Sequence, residues 1–177
     1  MYYDAIDVSD AEVTVASDKA MIFVYVLAPE AEVNAADKDG RTATMWAAVA
    51  GHLTCLQLLV DKGAEVIAVD EDGRTAIMMA AEGGHLTCLQ LLVDRGADLN
   101  ATSKDGRTAI VWATTIGGHH LTYLQYLVDK GAEVIAVDEN RWTAIMATAM
   151  GGHLTYLQYL VDKGAEVIAV DRYYDGC

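Results

Sequence analysis

The sequence predicts an all-α chain, a solenoid of stacked helix–turn–helix units with protruding hairpin-like loops, and three observations carry that prediction. Asp39-Gly40-Arg41-Thr42-Ala43 returns as Asp72-Gly73-Arg74-Thr75-Ala76 and Asp105-Gly106-Arg107-Thr108-Ala109, each copy 33 residues after the last. An altered fourth copy reads Asn140-Arg141-Trp142-Thr143-Ala144. Behind each copy comes Gly-His-Leu-Thr or a variant of it, beginning at Gly51, Gly84, His119 and Gly152. An apolar stretch then runs to Lys/Arg-Gly-Ala-Glu/Asp. A fixed period of this size marks supersecondary units stacked in a row, each covering the apolar face of the next.

The elements of one unit follow from residues 70–102. Asp70-Glu71-Asp72-Gly73 is turn chemistry: aspartates cap their own backbone, and glycine accepts a positive φ. Thr75 starts a short Ala- and Met-rich helix from Ala76 to about Glu82, and Gly83-Gly84 stops it. His85 opens a second helix with Leu86, Cys88, Leu89, Leu91, Leu92 and Val93 on a broad apolar stripe. Thr87, Gln90 and Asp94 are left to solvent. Gly96 ends this helix, and Ala97-Asp98-Leu99-Asn100-Ala101 leads on as an extended loop.

The spelling D-x-x-G-x-T-x-x-x-x-A-A-x-x-G-H-L-x-x-L-x-L-L-V-x-x-G-A-x-V-x-A resembles the ankyrin repeat. It spans four units, 37–69, 70–102, 103–137 and 138–170, with a degenerate N-terminal capping repeat over 1–36 and a short tail, 171–177. The resemblance implies an L-shaped stack of helix pairs whose loops and first helices form a concave face for a protein partner. The departures are specific. The family's Pro after Thr is Ala43, Ala76, Ala109 and Ala144, and its His two places later is Met45, Met78, Val111 and Met146. Its loop Asn stands at Asn34 and Asn100 but is Ile67, Ile135 and Ile168 elsewhere. Unit three carries two extra residues near Thr114 to His120, and unit four replaces its turn glycine with Arg141.

Composition narrows the function. Of the 177 residues 53% are apolar, ample for a core, while 12 Lys+Arg against 26 Asp+Glu leave a net charge of −14. Such a field repels phosphate backbones and excludes a basic nucleic-acid face. The longest apolar run, Ala20 to Ala28, is too short to cross a bilayer, and acidic residues precede it where a signal peptide needs basic ones. Cys55 and Cys88 occupy equivalent places in neighbouring units, where helices lie ~8–10 Å apart, beyond the ~7 Å reach of a disulfide. Reduced thiols and a cytoplasmic or nuclear location are expected.

No catalytic or metal motif occurs, so neither catalysis, a cofactor nor a metal is expected. His52, His85, His120 and His153 recur once per layer and cannot converge on one ion; they read as helix-start residues, with His119-His120 the pair worth testing. Cys55 and Cys88 read as buried thiols on the apolar stripe. Tyr123, Tyr126, Tyr156 and Tyr159 replace smaller second-helix residues; core filling is the plainer reading, an aromatic adhesive face the sharper one.

A non-catalytic protein–protein interaction module is therefore expected. The resemblance places its contacts at Arg41, Val49, Val69, Arg74, Glu82, Arg107, Ile116, Val137, Trp142 and Met150. That strip passes from charged to apolar, which puts the anchor at units three and four. Two alternatives stand beside it. One is a structural subunit that self-associates, or packs in a larger complex, through the uncapped end, where Leu154, Leu157, Leu160 and Val161 have no following unit. The other is a designed or selected binder, suggested by three identical copies of Asp-Lys-Gly-Ala-Glu-Val-Ile-Ala-Val-Asp.

Overall fold

The computed structural model describes residues 32–115 and 121–165. The proposed capping segment, apart from its last residues, thus lies outside the described residues, as do Ile116, His119-His120, Ile168 and the tail. Among the described residues eight helices alternate as first and second members of four pairs: α1 Ala43–Ala50, α2 Leu53–Asp61, α3 Ala76–Gly83, α4 Leu86–Asp94, α5 Ala109–Thr115, α6 Leu121–Asp129, α7 Ala144–Met150 and α8 Leu154–Asp162. The first helices stack side by side as one layer, α1 on α3, α3 on α5, α5 on α7. The second helices form the other layer, with α2 against α4 and α6 against α8. Among the described residues there is no extended strand, only isolated antiparallel bridges at Ala36–Thr42, Val69–Thr75 and Val137–Thr143.

Small side chains make the first layer possible. Ala43, Ala47, Ala48, Ala76, Ala80 and Ala81 are buried, so neighbouring helices approach closely on both sides. Met45, Met78 and Val111 are fully buried where the family's histidine would stand, so packing replaces a polar link there. Capping is uneven: the Thr42 and Thr143 hydroxyls accept from the N–H of Met45 (3.4 Å) and Met146 (3.2 Å). The Thr75 and Thr108 hydroxyls are buried without a hydrogen bond. The inner two first helices therefore rest on apolar contact more than on their caps.

The second helices bury Leu56, Leu59, Leu89, Leu92, Leu124, Leu127 and Leu160, each worth about 2 kcal/mol relative to exposure. The apolar stripe of α8 needs a correction. Leu160 points into the molecule and is fully buried, whereas Leu154 and Val161 are exposed and Leu157 is partly so. The wet edge is thus Leu154, Leu157 and Val161.

Candidate protein-binding surface

Three of the four hairpins are shaped by a carboxylate that caps its own turn, as the turn chemistry predicts for Asp70. Asp37 Oδ1 accepts the N–H groups of Asp39 and Arg41, both at 2.9 Å. Asp70 Oδ1 does the same for Asp72 and Arg74, and Asp138 Oδ1 for Asn140 and Trp142. The Asp37 carboxyl is pulled below its usual range: burial opposes ionisation, but the Arg41 N–H, the Trp46 indole and the Asp39 N–H outweigh it. Neighbouring hairpins are tied by main-chain bonds from Glu71 N to Asp39 O (3.0 Å), Lys104 N to Asp72 O (2.8 Å) and Glu139 N to Asp105 O (2.9 Å). The loop tips are therefore one continuous row.

Behind the tips runs a second row, and here three predicted contact residues come together. Arg41 reaches the buried Asp70 carboxylate of the next unit at 3.6 Å and lies over Trp46, 5.2 Å from its ring centre. Arg74 holds Asp70 at 3.2 Å and Glu82 at 3.4 Å. Arg107 holds Asp105 at 3.1 Å and the buried Asp138 of the next unit at 3.4 Å. Arg74 and Arg107 flank the Trp112 ring at 5.8 and 5.2 Å. In unit three Ser103 replaces the aspartate, and its hydroxyl, with one proton to give, lies within hydrogen-bond reach of both the Asp105 carboxylate and the Arg107 carbonyl. These arginines are committed to their own chain, so they stiffen the strip more than they offer free charge.

The exposed apolar members lie beside this ladder. Val69 and Val137 bridge to the helix-starting threonines and are 57% and 51% exposed. Met150, at the end of α7, is 72% exposed. Val49 and Glu82 sit half-buried near the equivalent ends of α1 and α3, and Trp142 is half-buried against the core. The self-capping expected of Asp70 is observed, and Asp37, Asp70 and Asp138 recur at one position; the pairing of Asp70 and Asp138 with the preceding unit's arginine is what the sequence alone does not show.

The family model of ankyrin repeats (3 copies) matches residues 14–103 and 96–171. The chain belongs to the ankyrin-repeat family. No curated protein matches it. Ankyrin repeats are in general protein-interaction modules and typically not enzymes.

Other features of this ankyrin array are structural. His85 lies against Gly51 and Gly83, leaving no room for a Cβ at either glycine, so it locks one unit's helix start onto the previous turn. Among the described residues no group of three His, Cys, Asp or Glu is placed to hold a metal ion, and no helix is long and apolar enough to cross a membrane. Cys88 is buried, and burial pushes its thiol pKa up; Cys55 is half-exposed, and both are free. Tyr123 and Tyr156 fill the core. Tyr126 and Tyr159 are half-buried beneath Lys130 and Lys163, each ammonium 5.5 Å from its ring.

Proposed function

We propose that the chain is a non-catalytic module that binds a partner protein through the strip of loop tips and first-helix ends. The observation that carries this is the pairing of a stiff, internally neutralised Arg–Asp ladder with exposed apolar side chains alongside it, Val69, Val137 and Met150. Such a strip offers desolvation energy with little loss of side-chain freedom, because its charged members are already held. Units three and four supply the anchor: Val137, Trp142 and Met150 are apolar, while Lys38 at the far end is exposed and charged.

The test compares surface-only variants, since Trp142 also packs against the core. Proteins captured from a lysate by the unchanged chain should be retained by Lys38→Ala and lost by Val137→Asp/Met150→Asp, with unaltered circular dichroism for both. For the isolated partner, Trp142→Ala should weaken binding by roughly 2 kcal/mol, as buried aromatic anchors do. Equal capture by all variants overturns the reading.

A further inference from the structure

Residues 65–71 and 133–139 spell the same seven residues, Glu-Val-Ile-Ala-Val-Asp-Glu, on the loop that leads from a second helix into the next hairpin. Exposure alternates along both copies. Glu65, Ile67, Val69 and Glu71 are wet, Val66 and Ala68 are half-buried, Asp70 is buried, and 133–139 repeat this residue for residue. Ile67 is 65% exposed and Ile135 60%. Ile67 has a described loop on either side, at Asn34 and Asn100, so its exposure does not come from an end of the array.

The loop between the two copies is built otherwise. The same four places hold Asp98, Asn100, Thr102 and Lys104, one acid and one base with no apolar side chain. Asn100 accepts from the Glu133 N–H at 2.9 Å and donates to the Gly131 carbonyl at 3.3 Å; Asn34 accepts from the Glu65 N–H at 2.8 Å. Isoleucine at this place forgoes the tie between loops and leaves its side chain in water, so it adds nothing to their packing. Among the described residues none of Glu65, Glu71, Glu133 and Glu139 takes part in an ion pair, unlike the acids of the ladder behind them. Each copy therefore presents two aliphatic side chains between two uncommitted carboxylates, and a neutral polar loop separates the copies.

Resting on the reading of the loop strip as the binding surface, we propose that these two loops are paired docking sites for one partner segment that carries two clusters of Lys or Arg beside Leu, Ile or Val. The aliphatic pair supplies the desolvation energy, and the flanking carboxylates select the sign of the charge beside it. The net charge of −14 steers such a segment in. Neighbouring units lie about 8–10 Å apart, so the two clusters stand about 16–20 Å from each other. One contact is small and weak. Two on one chain make the second contact intramolecular and raise the affinity without any new surface.

Fluorescence anisotropy of a labelled synthetic peptide, Lys-Leu-Leu-Lys twice over with a Gly/Ser linker of about nine residues between, tests this on the full chain; such a linker typically reaches about 16 Å. The two-copy peptide should bind at least about tenfold tighter than a single copy, and added salt should weaken it. A counterpart with Glu for every Lys should not bind. Ile67→Asn or Ile135→Asn alone should bring the two-copy peptide down to single-copy affinity, with unaltered circular dichroism. The fold tolerates the change, because the amide at Ile67→Asn can accept from the Asp98 N–H as Asn34 does from Glu65. Glu65→Gln/Glu71→Gln should flatten the salt dependence. A two-copy peptide that does not bind, binds no better than one copy, or ignores both asparagine variants overturns the proposal. Lysate capture lost on Val137→Asp/Met150→Asp but kept on Ile67→Asn/Ile135→Asn overturns the paired sites while leaving the wider strip standing.

Discussion

Units three and four are near-duplicates that differ in what lies beyond them. Their second helices are identical in sequence; α8 has α6 on its inner side, and Tyr126 of α6 feels Asp94 at the end of α4. Among the described residues only α6 has a later unit's helix on its outer side, where Leu124 is buried while Leu157 of α8 is half wet. Their hairpins differ in sequence as well: Ser103 with Gly106 in unit three, Asp138 with Arg141 in unit four. Burial in this array belongs to the interface between units and not to the spelling of either one.

The largest effect expected from this contrast is at the paired leucines. Leu124→Ala should destabilise the chain by about 3 kcal/mol, the cost of a cavity in a closed core, and Leu157→Ala by about 1 kcal/mol. Urea denaturation of both variants reads the difference; equal losses would mean that α8 is covered as fully as α6. The aspartate position comes next. Asp138→Ala leaves Arg107 with Asp105 alone and strands the N–H groups of Asn140 and Trp142, and should cost about 2 kcal/mol. Ser103→Asp, which gives unit three the carboxylate its siblings have, should gain about 1 kcal/mol by accepting from Arg74 or Arg107 and its own turn. A loss on Ser103→Asp would show that the Ser103 pairing with Asp105 is the better solution there.

The turn residue sharpens the contrast further. Arg141→Gly relieves a left-handed arginine and should raise the melting temperature by the equivalent of about 1 kcal/mol, part of it offset by the freer unfolded chain. Gly106→Arg carries the same backbone penalty and also drives a Cβ against the Asp138 backbone, so its loss should exceed that gain. The smallest effect tests the side that the two units share. Tyr126 and Tyr159 have raised pKa values, each through burial and then through Asp94 or Asp129 of the preceding unit. The unfolded chain therefore ionises first, and stability present below about pH 10 should fall as pH rises through the folded values. Tyr126→Phe and Tyr159→Phe should remove similar shares of that alkaline loss in pH-dependent melts. A clear inequality would mean that the outer side reaches these rings too.

Much of the candidate strip was legible by counting from the repeat, because Arg41, Arg74 and Arg107 share one place in it and fall on one line. Their commitment to carboxylates was not legible. In sequence Asp70 shows as a cap of its own turn, but only the stacking of one hairpin on the next buries Asp70 and Asp138 beneath an arginine. Leu160 was misplaced for a related reason: an apolar stripe gives a face its width, but not the angle at which a neighbour meets it. Cys55 and Cys88 share a repeat position yet differ in burial, since position within a unit does not set what packs on that side.

By itself the sequence determined the unit: its two helices through apolar spacing, its turns through aspartate and glycine, its number through the 33-residue period. These are short-range matters of backbone conformation and of which faces shed water, and each copy states them again. Only the tertiary structure decided which side chains are shared between units. Arg41 finds Asp70, Arg74 and Arg107 close on Trp112, and Leu124 is buried while Leu157 is not. The reason is physical: a repeat can spell the same residues many times, but desolvation and charge pairing depend on the atoms of the neighbour, and the last described unit has a neighbour on one side only.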